Sequence, residues 1–296
     1  MKKLPGTRVF TKDEIKEKIC ELKQKEWIEL PTNRAFRDGG PGNYIEDYLK
    51  IRENNLQIAD LGTHELKTHR VDSSSLNTLK NIEPGPGNRN GLITPLVQQF
   101  GFPHKEHQCH LRRNGKRCTH KHFQPDDRCY SIDELSLNGV DMCGKDAVNT
   151  PNPRGFYIKV NKKEKKVEMH FDPSRVKKDK VESDWLENVK RRRGNLDDLP
   201  ENHYWPFDKI EPLIKEKIQN VVFIKCAEKK EDGKHKIKIT EAYFLEDFDF
   251  EKFIDGIEKG EVYIETRAHG TRNHGTAFRM FERYYPSIFD TKESID

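Results

Sequence analysis

Three charged residues, Asp60, Glu65 and Lys67, have the types and spacing for metal-dependent hydrolysis of a phosphodiester bond. Two neighbouring carboxylates repel each other unless a cation lies between them, and Mg²⁺ binds carboxylates together with phosphate oxygens. A lysine beside them can orient or deprotonate a water, or stabilise charge on the phosphate. A Glu-x-Lys motif also occurs often by chance, as one ion pair on a surface hairpin. The flanking sequence therefore has to decide between the two interpretations.

These residues are predicted to lie on a β-hairpin. Residues 56–59 alternate between apolar and polar types, which predicts a half-buried strand that ends before Asp60. Residues 64–68 are long enough for the second strand. Because side chains alternate along a strand, Glu65 and Lys67 share one face. The hairpin would place Asp60 beside Glu65, so that two carboxylates and one ammonium meet at one place.

Four short runs surround these residues in a fixed order: GPGNYIE at 40–46, NN at 54–55, AD at 59–60 and ELKTHR at 65–70. Their order and spacing resemble the pattern G-x-G-x-x-L-E, N-N, P-D and E-L-K-(T/S)-x-R of the MvaI/BcnI restriction endonucleases and their relative, the mismatch-repair nickase MutH. These enzymes are members of the PD-(D/E)XK nuclease superfamily. Ile45 and Ala59 replace the leucine and the proline of the pattern, and neither takes part in the chemistry. The run RNHGTAFR at 272–279 resembles the family's N-H-G-T-x-F-R motif, whereas the middle of the chain matches poorly.

The resemblance implies an α/β fold in which a mixed central β-sheet is flanked by helices, with two lobes that form a cleft around DNA. Residues 1–205 are expected to form the catalytic lobe and residues 206–296 the DNA-recognition lobe. A predicted hairpin at 155–171 is expected to extend the catalytic sheet. A chain of 296 residues is long enough to bury a core as one or two domains.

The resemblance also implies a catalytic set of Glu46, Asp60, Glu65 and Lys67. Asp60 and Glu65 would hold Mg²⁺, for which Mn²⁺ could substitute, and Glu46 would hold a second metal or position the lysine. Without the resemblance, Glu46 is nearly as well explained as a glutamate in the first turn of a helix, which the helix dipole favours. Whether Lys67 acts as a base or as an electrostatic aid stays open, because the adjacent carboxylates favour its charged form.

The implied function is that of a type II restriction endonuclease, which hydrolyses double-stranded DNA at a short specific sequence and leaves a 3′ hydroxyl and a 5′ phosphate. A strand-nicking repair enzyme of the MutH kind has the same catalytic residues and stays open. A non-catalytic DNA- or zinc-binding protein is the alternative from a different class, and the intact set of Asp60, Glu65 and Lys67 argues against it. A nuclease that acts on RNA is the least favoured alternative.

The segment 263–279 is predicted to read bases. Residues 263–269 alternate like a strand, so that Glu265 and Arg267 share one face, and a loop is expected to run on to residue 279. A carboxylate can accept from cytosine N4 and an arginine can bond guanine O6 and N7, so the pair suits a site that contains G·C. The alternative is a solvent-facing ion pair on an edge strand. The candidate DNA-binding residues are Glu265, Arg267, His269, Arg272, His274 and Arg279.

Residues 103–150 are rich in histidine and cysteine and resemble an insertion. Zinc binds four such ligands, often as two closely spaced pairs, although no Cys-x-x-Cys pair is present. A structural Zn²⁺ and an irregular basic loop near DNA are therefore both open. The candidate zinc ligands are Cys109, His110, Cys118, His120, Cys129 and Cys143.

Composition limits the remaining possibilities. The net charge is +4 and 35% of the residues are charged, so a nucleic-acid surface must come from local clustering rather than from bulk charge. The sequence shows no apolar leader and no run long enough to span a membrane. We therefore expect a cytoplasmic protein with reduced cysteines and no membrane partner. Double-stranded DNA is the expected partner, together with a cognate DNA methyltransferase; a monomer is expected, and a dimer stays open.

Overall fold

The computed structural model describes residues 9–35, 39–51, 60–71, 75–85, 91–103, 112–113, 116–117, 135–145, 152–269 and 272–296. The helices are α1 (Lys12–Lys23), α2 (Gly40–Tyr48), α3 (Ile93–Phe100), α4 (Trp185–Arg193), α5 (Phe207–Ile218) and α6 (Phe250–Lys259), with a 3-10 helix at Glu282–Ile288. The strands are β1 (Ile28–Glu29), β2 (Glu65–Arg70), β3 (Asn77–Asn81), β4 (Phe102–Pro103), β5 (Arg112–Arg113), β6 (Lys116–Arg117), β7 (Leu135–Ser136), β8 (Val140–Met142), β9 (Arg154–Asn161), β10 (Lys166–Val176), β11 (Tyr204–Pro206), β12 (Val221–Glu231), β13 (Lys234–Phe248), β14 (Val262–His269), β15 (Arg272–Met280) and β16 (Phe289–Ser294). Within these ranges, no helix combines the length and the apolar character needed to cross a membrane.

The chain folds into two compact units, and each is assembled from separate stretches of sequence. Unit 1 contains the described residues of 1–77, 211–253 and 281–296, and unit 2 contains those of 78–210 and 254–280. The units divide the chain differently from the expected boundary between residues 205 and 206. The physical reason is strand pairing over a long sequence separation, because β12 pairs with β2 and draws the segment after residue 210 into unit 1.

Unit 1 is built on a mixed five-stranded sheet with the order β1-β13-β12-β2, and β16 also pairs with β13. Strands β12 and β13 pair as an antiparallel hairpin. Asp232 and Gly233 both have positive φ at its turn (52° and 73°), the conformation that matches the twist of a tight hairpin. The pairing of β12 with β2 is parallel. This mixed sheet and the helices that pack on it confirm the expected α/β class.

Helix α1 shows how local sequence and packing agree in unit 1. The Thr11 hydroxyl accepts from the Glu14 backbone N–H at 3.2 Å, and the Glu14 carboxylate accepts from the Thr11 N–H at 2.9 Å. These two hydrogen bonds form a reciprocal capping box. Ile15, Ile19 and Leu22 are fully buried at helical spacing, so the helix is held to the sheet mainly by its apolar face.

Unit 2 contains a six-stranded sheet with the order β3-β15-β14-β7-β4, in which β8 also pairs with β14. A separate three-stranded sheet has the order β11-β10-β9, and β5 pairs with β6. The hairpin of β9 and β10 is the predicted one, but the expectation that it extends the catalytic sheet is wrong. Strand β11 takes the pairing edge of β10 instead, and the hairpin stays within unit 2.

The expected loop after residue 269 is also corrected. Residues Arg272–Met280 form strand β15, which runs antiparallel to β14 and pairs Tyr263 with Arg279. Thr276, Ala277 and Phe278 are buried in succession, so the segment lacks the simple alternation that identifies a half-buried strand in a sequence. The register also shifts between Thr266 and Ala268 of β14, as at a β-bulge.

Candidate active site and recognition strands

Strand β2, which begins at Glu65, carries both Glu65 and Lys67 on the mixed sheet of unit 1. The Glu65 backbone N–H donates to the Asn220 carbonyl at 2.9 Å, which fixes the parallel register with β12. Glu65 is 1% exposed, and the Lys67 ammonium donates to its Oε1 at 2.7 Å. The predicted sharing of one strand face is therefore confirmed, and Leu66 lies in the hydrophobic core of the other face.

Asp60 reaches the same place through a tight turn. The Leu61 N–H donates to the His64 carbonyl at 2.9 Å, and Gly62 has a φ of +83°, a conformation that glycine adopts without strain. One oxygen of the Asp60 carboxylate accepts from the Leu66 N–H at 3.4 Å. The predicted strand at 56–59 lies outside the described residues. Within the described residues, the pairing partner of β2 is β12. The turn and the contact of Asp60 with the Leu66 N–H bring Asp60 beside Glu65.

A second lysine, Lys217, completes this group and was missed from the sequence. It lies in the last turn of α5, and its Nζ is 2.8 Å from Glu65 Oε2 and 3.9 Å from Asp60 Oδ1. A basic residue at a helix C-terminus is ordinarily explained by the helix dipole. The signal that could have found Lys217 is the parallel pairing of β2 with β12, which is not visible in either segment alone. We call Asp60, Glu65, Lys67 and Lys217 the catalytic cluster.

Burial and charge shift the pKa values of the catalytic cluster in opposite directions. Burial, followed by the Glu65 charge, raises the pKa of Asp60 to about 6. Burial alone would raise the pKa of Glu65, but the two ammonium groups together outweigh it, and the net direction is downward. Burial also opposes the charged form of Lys67, yet Glu65 and the acidic groups around it raise its pKa overall. Glu65 is therefore an anion and Lys67 a cation at neutral pH.

The donor set of the catalytic cluster fits a hard divalent cation. Glu65 Oε2 is buried and lies 2.8 Å from the Lys217 ammonium, so this oxygen already holds a cation. Asp60 supplies a second carboxylate beside it, and Mg²⁺ commonly takes one or two protein carboxylates together with phosphate oxygens. Among the described residues, no three His, Cys, Asp or Glu side chains gather as a complete protein-only metal site.

Glu46, the remaining member of the expected catalytic set, lies near the end of α2. The helix begins at Gly40, so the expectation that Glu46 is in its first turn is wrong. Helix α2 packs against β2, and Gly42 faces the Thr68 side chain. Glu46 is four residues beyond Gly42 and lies on the same helix face. The sequence missed the helix start because glycine and proline at positions 40–42 resemble a loop.

Strands β14 and β15, predicted to read bases, carry a second charged group in unit 2. The Glu265 carboxylate forms an ion pair with Arg279 at 2.5 Å and lies 3.8 Å from Arg267 Nε. Arg267 also donates to Asn81 Oδ1 at 3.3 Å. Glu265 is 8% exposed, whereas the Arg267 side chain is 38% exposed. We call Glu265, Arg267 and Arg279 the recognition cluster.

The other candidate DNA-binding residues lie at the far end of the same two strands. His269 and His274 approach with their Nε2 atoms 2.9 Å apart. Arg272 is exposed at the start of β15. The structure thus places all six predicted residues on one pair of strands.

Asp141 is a neighbour of the recognition cluster that the sequence did not indicate. It lies on β8 directly opposite Glu265. One of its carboxylate oxygens is buried and has no hydrogen-bond partner among the described residues. Burial, followed by the Glu265 charge, raises the pKa of Asp141. Only the sheet register brings these two carboxylates together, so no local sequence pattern could have paired them.

Most of the predicted zinc ligands lie outside the described residues, namely Cys109, His110, Cys118, His120 and Cys129. Cys143 is described and is a fully buried residue just after β8. The zinc site therefore stays a prediction.

Comparison with known proteins agrees with this geometry. The model of the MvaI/BcnI restriction endonuclease family matches residues 16–289, which include both charged clusters. The chain is similar in structure to "Restriction endonuclease MvaI-cognate DNA substrate complex", with 20% identity, a TM-score of 0.67, and coverage of 97% of this chain and 100% of that chain. It is also similar to "Restriction endonuclease MvaI in the absence of DNA", with 20% identity, a TM-score of 0.52 and coverage of 100% of both chains. No curated protein matches the chain significantly. The structural likeness establishes the shared fold, and the family model establishes that this chain belongs to the MvaI/BcnI restriction endonuclease family.

Proposed function

We propose that the protein is a type II restriction endonuclease that uses Mg²⁺ to hydrolyse double-stranded DNA at a short sequence containing G·C. The observation that carries this proposal is the buried Glu65, held between Lys67 and Lys217 and next to Asp60. A surface ion pair would not need a fully buried carboxylate with two cationic partners. The DNA complex of MvaI supports duplex DNA as the substrate.

Asp60 and Glu65 are the residues that would hold the metal. A divalent ion bound there would neutralise charge on the phosphate and lower the pKa of a bound water. Glu46 lies on the α2 face that packs against β2, from which it would position Lys67 or hold a second ion.

Lys67 contributes as a cation in this proposal. Its raised pKa favours the ammonium, so it would donate hydrogen bonds to the attacking water or to a phosphate oxygen. Such a donor stabilises the negative charge that develops in the transition state. Removal of a proton from water would require the neutral amine, which the charge of Glu65 disfavours.

The recognition cluster would read bases in the proposed complex. Arg267 is the most exposed of its three side chains and has the planar fork that matches guanine O6 and N7. Glu265 would accept from cytosine N4 or hold the arginines in place. His269, Arg272 and His274 would contact bases or phosphates at the end of the strands.

The deciding experiment is digestion of a defined plasmid with purified protein and Mg²⁺, followed by sequencing of the ends. We expect discrete fragments with 5′ phosphates at one short sequence. Nicked circles without linear product would indicate a strand-nicking enzyme of the MutH kind. No cleavage with Mg²⁺ or Mn²⁺ would contradict the nuclease proposal and favour a non-catalytic DNA-binding protein.

Three further features belong to the same proposal. A site-specific nuclease in the cytoplasm endangers the DNA of its own cell, so a cognate DNA methyltransferase is the expected companion. Size-exclusion chromatography with and without DNA tests the expected monomer. Elemental analysis of protein purified without chelator tests the Zn²⁺ site, and about one zinc per chain is expected; absence of zinc would favour a basic loop.

A further inference from the structure

We propose that Lys217 is a resident counter-ion that occupies the metal position of the catalytic cluster and restricts metal binding until DNA is present. The inference rests on the proposed metal-dependent nuclease function and adds a regulatory role for a residue outside the expected catalytic set. Its basis is that Lys217, and not Lys67, contacts both carboxylates that would hold the metal.

The two lysines divide the oxygens of Glu65 between them. Lys67 Nζ lies 2.7 Å from Oε1, whereas Lys217 Nζ lies 2.8 Å from Oε2 and 3.9 Å from Asp60 Oδ1. A cation shared by Asp60 and Glu65 would therefore need the place of the Lys217 ammonium and could leave Lys67 where it is. Lys217 is therefore the protein cation that a bound metal ion would displace.

Lys215, on the same helix, shows that the helix dipole alone does not explain the contact of Lys217 with the carboxylates. Lys215 is also in the last turn of α5, and it pairs with Glu211 one turn away on the helix surface, at 2.6 Å. The side chain of Lys215 is 41% exposed, whereas that of Lys217 is 18% exposed. Both satisfy the helix dipole equally, so the burial of Lys217 against the carboxylates needs a separate cause.

The charge balance of the cluster gives that cause. Two carboxylates and two ammoniums sum to zero, so the metal-free cluster is neutral. Entry of a divalent ion with both lysines in place would leave about two positive charges at a largely buried site, which is unfavourable in a low local dielectric. A DNA phosphate supplies negative charge and offers Lys217 a new partner. Metal binding is therefore coupled to DNA, and Lys217 is the group that produces the coupling.

The test is Mn²⁺ binding to the DNA-free protein, measured by electron paramagnetic resonance. Lys217→Met keeps the length of the side chain and removes its charge, so we expect on the order of tenfold tighter Mn²⁺ binding than in the wild type. Lys217→Arg restores a cation and should bind Mn²⁺ as weakly as the wild type. Lys215→Met is the matched control on the same turn and should leave Mn²⁺ affinity unchanged. Unchanged or weaker Mn²⁺ binding by folded Lys217→Met would overturn the inference.

A second measurement uses the wild type and does not depend on the folding of a variant. Saturation with Mn²⁺ should expose the displaced ammonium, so acetylation of Lys217 by a small anhydride, mapped by mass spectrometry, should increase several-fold. Acetylation of Lys215 should stay constant. No increase at Lys217 would also overturn the inference. Plasmid cleavage by the wild type is scored separately: cleavage without tighter Mn²⁺ binding by Lys217→Met rejects this inference alone, and tighter binding without any wild-type cleavage rejects the proposed function alone.

Discussion

The catalytic cluster of unit 1 and the recognition cluster of unit 2 each centre on one buried glutamate, but they hold it differently. Glu65 meets two ammonium groups, one from its own strand β2 and one from helix α5. Glu265 meets two guanidinium groups, one from its own strand β14 and one from the adjacent β15. The first arrangement joins elements far apart in the chain, and the second is completed within one pair of neighbouring strands.

The two clusters also differ in the type of cation, ammonium in one and guanidinium in the other. An ammonium is a compact charge, and Lys67 and Lys217 both turn it toward carboxylates inside unit 1. A guanidinium has five donors, so Arg267 can keep its contacts with Glu265 and Asn81 while it offers other donors to a ligand. The catalytic cluster is suited to holding charge in a fixed position, and the recognition cluster to exchanging partners.

The largest expected effect separates the two clusters by function. Asp60→Ala removes a proposed metal ligand and should lower the cleavage rate about a thousandfold or more, which is roughly 4 kcal/mol of transition-state stabilisation. Binding to plasmid DNA, measured with Ca²⁺ in place of Mg²⁺, should stay close to the wild-type value because the recognition cluster is intact. Asp47→Ala, at an exposed carboxylate of α2, is the matched control and should cleave normally. Near-wild-type cleavage by Asp60→Ala would reject the catalytic assignment.

Whether a contact of either cluster can be predicted depends on how far apart its two residues lie in the sequence. The contact of Glu65 with Lys67 follows from strand alternation, and the capping box at Thr11 follows from local hydrogen bonding, so both are visible in a short window of sequence. Lys217 and Asp141 reach their glutamates only through strand pairing between distant segments. No periodicity reports such pairing, and for the same reason the two units divide the chain differently from the predicted boundary.

The next effect concerns the cost of burying the carboxylate pair without a metal. The Asp60 pKa rises from 3.8 to about 6 in the folded protein, so folding favours the neutral carboxyl. The stability associated with that proton is fully present below about pH 4 and is lost as the pH rises through about 6. Asp60→Asn lacks this titration. Between pH 4 and 7.5 the wild type should therefore lose on the order of 3 kcal/mol relative to the variant.

Urea denaturation in EDTA at both pH values measures this difference, because every other group titrates in both proteins. A wild-type-minus-variant difference that does not change with pH would mean that the Asp60 carboxyl is not perturbed by burial and Glu65.

A smaller effect tests whether the recognition cluster exchanges partners. Arg267→Ala should weaken binding to the cognate sequence by about 1–3 kcal/mol and barely change binding to random duplex, if Arg267 reads a base. Both affinities are measured at one salt concentration, because phosphate contacts depend strongly on salt. Arg175→Ala, at a half-buried arginine elsewhere in unit 2, is the control. An equal loss on both duplexes would make Arg267 a phosphate contact, and no loss on either would make the recognition cluster purely structural.

The smallest expected effect concerns two tyrosines that pack on the same ring beside the catalytic cluster. Tyr285 and Tyr243 lie with ring centroids 5.2 Å and 5.4 Å from that of Phe223. The Tyr243 hydroxyl donates to Glu282 at 3.3 Å, whereas the buried Tyr285 hydroxyl has no hydrogen-bond partner among the described residues. Tyr243→Phe should therefore cost about 1 kcal/mol of unfolding free energy, and Tyr285→Phe should be neutral or slightly stabilising. Urea denaturation of both variants in EDTA compares them directly. If Tyr285→Phe instead costs as much as Tyr243→Phe, the Tyr285 hydroxyl has a polar partner next to Lys67, such as a bound water.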